Sequence, residues 1–178
     1  FRADFISNLN YVCLSKSIPM INVMFVCRGN ICRYPLAEAV FAQQVLDQGL
    51  EKQIYVESCG TAAYHIGENP DPRTIKVAKK HSVPVNHKVQ QLITQHFVSF
   101  DYLVAMDESN AQTAKRLRPT NASAQILIIR DFYVLTKGAD VIDLWIVCED
   151  GFEECYQVAK SSSEEFVYFL LIKHKLVV

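Results

Sequence analysis

A six-residue apolar run, INVMFV at positions 21–26, breaks off into Cys-Arg-Gly-Asn-Ile-Cys-Arg, and helical spacing begins directly after it. From Pro35 onward, Leu36, Ala39, Val40, Ala42 and Val45 recur at the 3.6-residue period of one helix face. Pro35 suits a first helical turn, where its missing N–H costs nothing. The unit then repeats. Residues 54–58 read as a second strand ended by Gly60, and 73–81 as a helix after Asn-Pro-Asp-Pro. A third strand falls within 100–106, a helix at 109–117, and a fourth strand at 125–129. Residues 131–148 read as a loop and 152–171 as a long amphipathic helix, most simply a core-packing one. Strands alternating with helices predict an α/β fold, a parallel sheet covered on both faces. Such sheets take ligands beyond the C-terminal strand ends, where strand order reverses, and the loop at 27–33 lies in that place.

Composition limits the uses of such a fold. Among 178 residues, 18 Lys and Arg face 19 Asp and Glu, for a net charge of −1. That balance argues against a nucleic-acid partner held by a broad basic surface and against an acidic disordered chain. The apolar run at 166–172 is far short of the roughly 18 residues that span a bilayer, so no membrane partner is expected. Residues 1–19 are interrupted by Asp4, Asn8, Asn10, Ser15 and Lys16 and do not read as a signal peptide. They are expected to be an extension on a single domain at 20–178. Without a secretory signal, Cys13, Cys27, Cys32, Cys59, Cys148 and Cys155 point to a reduced, cytoplasmic protein with buried thiols. Neither the cysteines nor the five histidines show metal-ligand spacing, and no metal or cofactor is expected.

Cys27 and Arg33 bracket the loop between strand and helix. Gly29 lets successive backbone N–H groups turn inward as an anion nest. The following helix directs its positive end at the same point, and Arg33 adds a planar fork of donors that matches two phosphate oxygens. The same field is expected to lower the Cys27 pKa from about 8.5 towards roughly 3.5–7.5, leaving a thiolate beneath a bound oxyanion. A lone Cys and Arg at this spacing also fit a small buried thiol beside a surface arginine. The strand before, the helix after and Gly29 within favour the anion cradle.

The segment Val26-Cys-Arg-Gly-Asn-Ile-Cys-Arg-Tyr-Pro35 resembles the signature of the low-molecular-weight protein tyrosine phosphatases. Four further segments are similar to that family, in its order: Asn69-Pro-Asp-Pro-Arg73, Asn86-His-Lys88, the stretch from Phe100 to Asn110, and the stretch from Glu149 to Tyr156. The resemblance covers about residues 20–172. It implies a three-layer αβα sandwich on a four-stranded, Rossmann-like parallel sheet, the phosphotyrosine protein phosphatase I fold. It further implies a phosphoric monoester hydrolase with acid phosphatase activity, acting on phosphotyrosine proteins and small aryl phosphates without a metal. Inorganic phosphate and other oxyanions would inhibit, and the protein would be a monomer or weak dimer.

Carried over residue by residue, the resemblance makes Cys27 the nucleophile that forms a phosphocysteine. Arg33 binds phosphate and stabilises the loose transition state, and Asp143 is the general acid and later the base. Arg28, Gly29, Asn30, Ile31 and Cys32 complete the phosphate loop, with Asn30 bracing it and His87 supporting the brace. Tyr64 and Trp145 fall where the family has aromatic walls, although Trp145 also fits a packing role. Ile31 stands where arginine-phosphate-selective members carry Thr, which favours phosphotyrosine. Cys32 fits either a reversible disulfide partner for Cys27 or a packing thiol.

Tyr34 departs from the family's Ser or Thr at the expected N-cap of the helix. A tyrosine hydroxyl can neither cap there nor donate to the cysteine sulfur, so a higher Cys27 pKa and slower turnover are expected, with Tyr34→Ser restoring rate. Leu144 replaces a Pro after the acid, and Ile146 and Val147 replace an aromatic residue and a Gly. These departures motivate a second reading, a phosphate-binding scaffold with little turnover. A third, thiol-coupled arsenate reductase, is weaker. Cys148 and Cys155 follow Asp143, whereas that family's pair precedes the acid.

Overall fold

Alternate residues of a strand point to opposite faces of its sheet, and on β1 (Ile21–Cys27) both faces are buried. Ile21, Val23, Phe25 and Cys27 enter one core, and Met24 and Val26 enter another. The computed structural model describes residues 19–132 and 149–177. Its remaining elements are α1 (Arg33–Asp47), β2 (Ile54–Gly60), α2 (Pro72–Lys80), α3 (His96–Ser99), β3 (Tyr102–Ala105), α4 (Glu108–Leu117), β4 (Gln125–Ile128), a 3-10 turn (Ile129–Phe132) and α5 (Glu149–His174).

The four strands are all parallel, in the order β2-β1-β3-β4. Residues of α1, α2 and α5, among them Phe41, Ala78, Phe152 and Phe166, share the core on the Phe25 side. Phe97 of α3 and Ala114 of α4 join Met24 and Leu103 on the other. This is the sheet covered on both faces expected from the alternation, and the three-layer αβα sandwich that the family resemblance implies. Val23, Met24, Phe25 and Val26 are wholly buried, each worth about 1.5–3 kcal/mol, so the strand that ends in Cys27 is a firm base. Because β2 and β3 flank β1 on opposite sides, the chain leaves β1 where strand order reverses, the place where such sheets take ligands.

Several boundaries differ from the periodicity. Helix α1 starts at Arg33, so Pro35 is its third residue, still within the turn whose N–H groups lack helical partners. Its N-cap is Cys32, without a side-chain cap; Tyr34, expected there, is the second helical residue. The short α3 carries too few residues to show a period. Helix α5 exceeds 152–171 at both ends. Among the described residues no helix is long and apolar enough to cross a membrane.

Candidate active site

Residues 28–32 link β1 to α1, and the carbonyls of Cys27, Arg28, Ile31 and Cys32 are tied to neighbouring segments. Thr61 N donates to Cys27 O (2.7 Å), Ala62 N to Arg28 O (2.9 Å) and Asp71 N to Ile31 O (2.8 Å), while Thr74 Oγ1 donates to Cys32 O (3.1 Å). With the carbonyls turned out, the amides turn in: Asn30 N donates to Cys27 Sγ at 3.1 Å. The left-handed residue of the loop is Asn30, at φ 56°, not Gly29. Asn tolerates that region better than most residues. A Cβ at Gly29 would meet only ordinary contacts with His65 and Ile31. The glycine that the cup requires is Gly60 on β2, where a Cβ would stand 2.9 Å from Arg28 O and 3.2 Å from Asn30 Cβ.

Asn30 is wholly buried and fully engaged. Its Nδ2 donates to Ser58 Oγ (2.9 Å), whose hydroxyl donates to Glu38 Oε2 (2.6 Å). Its Oδ1 accepts from Gln90 N (3.2 Å) and faces His87 Nε2 at 2.9 Å. The other ring nitrogen of His87 lies 2.9 Å from Glu38 Oε2. Both ring nitrogens of His87 therefore face oxygen atoms, one of the Asn30 side chain and one of the Glu38 carboxylate.

Arg33 lies inside the site with its side chain only 6% exposed, and Nη1 is 3.1 Å from Asp107 Oδ2. Asp107 Oδ1 in turn caps α4 through Asn110 N (2.7 Å). The Cys27 thiol departs from expectation. Burial pushes it up to about 11, against the lowering influence of the Arg33 charge and the Asn30 and Gly29 N–H groups. The sulfur is buried, and Asp107 both offsets Arg33 and adds negative charge of its own.

Cys32 and Tyr34 turn away from the cup. Cys32 Sγ donates to Asp71 Oδ2 (3.8 Å), and burial, then the Asp71 charge, push its thiol up to about 12. That favours the thiol form and disfavours attack on an oxidised Cys27. Tyr34 is fully buried and its Oη donates to Val104 O (2.9 Å). Arg28 is exposed and Ile31 half-buried. Tyr64 is 67% exposed, edge-on to His65, which lies over Gly29. Asp143, Leu144, Trp145, Ile146, Val147 and Cys148 lie outside the described residues. Among those described, no three His, Cys, Asp or Glu side chains are grouped to hold a metal.

Sequence reasoning names Cys27, Asn30, Arg33 and His87, which the structure brings together. It missed Glu38, Ser58, Gly60, Gln90 and Asp107. Asp107 lies in one of the quoted segments, where an Asp two residues before a helical pattern signals an N-cap but not a partner for Arg33.

A family model described as "Low molecular weight phosphotyrosine protein phosphatase" matches residues 22–176. Proteins of that name from Schizosaccharomyces pombe and Saccharomyces cerevisiae are similar to this chain. The first is 40% identical over 148 residues, 83% of this chain and 95% of that protein. The second is 43% identical over 152 residues, 84% and 94% respectively. The crystal structure of a protein tyrosine phosphatase from Entamoeba histolytica, with Hepes in its active site, superposes with a TM-score of 0.81 at 31% identity, covering 88% of this chain and 99% of that one.

Proposed function

This chain belongs to the low molecular weight phosphotyrosine protein phosphatase family and is a phosphoric monoester hydrolase of the protein tyrosine phosphatase class; we propose that it cleaves phosphotyrosine and aryl phosphate monoesters through a phosphocysteine at Cys27. The observation that carries the assignment is the Asn30 N–H aimed at Cys27 Sγ beside a buried Arg33 guanidinium. Sulfur, inward amides and guanidinium form the cradle that an oxyanion with three equatorial oxygens fits.

Burial keeps Cys27 as a thiol, so its proton passes to a phosphoryl oxygen as the dianion enters. The thiolate then faces a monoanion, with one opposing charge fewer. Sulfur attacks phosphorus in line, the S–P bond forms and the P–O(aryl) bond breaks, and Asp143 protonates the departing phenolate. Asp143 then takes a proton from water, which attacks phosphorus and releases phosphate and Cys27. Arg33 and the loop amides hold the equatorial oxygens throughout. Asn30, fixed by His87, Ser58 and Gln90, keeps the loop in its one left-handed conformation. Tyr64 and Trp145 flank the aryl ring, and Ile31 favours it over a guanidino phosphate. We place the protein in the cytoplasm, as a monomer or weak dimer inhibited by phosphate and related oxyanions. The family relationship does not favour the scaffold or arsenate reductase readings.

Hydrolysis of p-nitrophenyl phosphate in the presence of EDTA tests the assignment. Wild type should turn over, Cys27→Ser should lose all turnover, and Asp143→Asn should slow it by about 10²–10⁴-fold. Wild-type rates matched by Cys27→Ser would overturn it.

A further inference from the structure

We infer that Tyr34 is a positioning residue that sets the root of the Arg33 side chain, a role that rests on the phosphatase reading above. Tyr34 follows Arg33 directly. Its ring stacks on Phe25 of β1 with centroids 5.5 Å apart and 28° between the planes, and its Oη donates to Val104 O of β3 at 2.9 Å. Three residues beyond Val104 the chain reaches Asp107, whose Oδ2 holds Arg33 Nη1 at 3.1 Å.

These two bonds close a ring. It runs from the Arg33 backbone through the Tyr34 side chain to Val104, along the chain to Asp107, and back through the ion pair to the Arg33 guanidinium. Arg33 is thereby held at both ends from one stretch of backbone, the end of β3 and the cap of α4. That stretch does not give easily. Val104 is wholly buried, and Asp107 Oδ1 is engaged with Asn110 N at 2.7 Å. An arginine fixed at one end only would sweep its fork across the cup, whereas one fixed at both ends presents it before the oxyanion arrives. A serine at position 34 could not span to β3, so in this chain the second anchor depends on the tyrosine.

Tyr34→Phe isolates the claim, because it keeps the ring, its stack on Phe25 and the filled core and removes only Oη. Asp107→Asn is the second variant. Its Oδ1 still caps α4, but its Nδ2 cannot accept from Arg33. Vanadate affinity by calorimetry is the primary readout, since it reports the cup whether or not the protein turns over. The kcat for p-nitrophenyl phosphate and thermal melts accompany it. Tyr34→Phe should weaken vanadate binding and lower kcat by about tenfold, with its melting temperature within a few degrees of wild type. The double variant should bind vanadate about as weakly as Asp107→Asn alone, because both changes act through the same side chain. Wild-type vanadate affinity in Tyr34→Phe, or a double-variant loss equal to the product of the single losses, would overturn the inference and leave Tyr34 as core filling. Vanadate binding without Cys27-dependent turnover in wild type would instead overturn the phosphatase reading, with the ring still tested by affinity.

Discussion

Raising the pH should speed alkylation of Cys27 across the whole range in which the protein stays folded. Burial moves this thiol from an ordinary 9.0 to about 11, a bias of a few kcal/mol against the thiolate. Below its pKa a thiol loses tenfold in thiolate per pH unit, so the fraction at pH 7 is about 10⁻⁴, against about 10⁻² for an unperturbed group. Iodoacetamide inactivation, followed by residual p-nitrophenyl phosphate turnover and by the mass of the Cys27 peptide, should accelerate about tenfold per unit between pH 6 and 9 without levelling. The slope is the readout, because restricted access slows the reaction equally at every pH. Asp107→Asn should move the curve to lower pH, since the Asp107 charge opposes ionisation of Cys27 and offsets the Arg33 charge that assists it. A rate that levels off below pH 7 would refute the reasoning. It would mean that two inward amides and one guanidinium outweigh complete burial.

Tyr34→Ser removes a fully buried ring and should cost about 3–5 kcal/mol, lowering the melting temperature by roughly 10 °C or more. The sequence-based expectation for this variant concerns kcat and is a separate measurement; a stability loss below about 1 kcal/mol in urea titration would contradict the packing argument. Gly60→Ala should depress turnover far more than Gly29→Ala, because only the first forces a Cβ against Arg28 O; equal kcat values in the two variants would count against the geometry. Alkali should destabilise the fold through its buried thiols. Cys27 is raised to about 11, Cys32 and Cys155 to about 12, and Cys59 well above its ordinary value, each chiefly by burial. In the unfolded chain they ionise near 9, so their contribution is intact below that pH. It is lost as pH rises towards 11–12, at up to about 1.4 kcal/mol per thiol per pH unit. Urea midpoints that do not fall between pH 8 and 10 would exclude this.

Local chemistry was enough for the parts of this protein that neighbouring residues dictate. An apolar run such as INVMFV, bounded by turn residues and followed by a 3.6-residue period, has few folded outcomes, and the repetition of that unit implies a parallel sheet covered on both faces. The same locality exposed the phosphate loop, because Cys27, Asn30 and Arg33 lie within seven positions of one another. Tertiary structure alone decided how that loop is held and charged. Asn30 meets Ser58, His87 and Gln90, which lie 28, 57 and 60 residues away, and Arg33 meets Asp107 at a distance of 74. Periodicity carries no trace of such pairings, which follow from which strand lies beside which. Tyr34 looked like a lost cap in the sequence and proved to be a core residue because α1 begins two residues earlier and aims it at β3. The ionisation of Cys27 reversed its expected direction for a similar reason. Donors near a sulfur can be read from a motif, but its burial depends on every layer of the fold above and below.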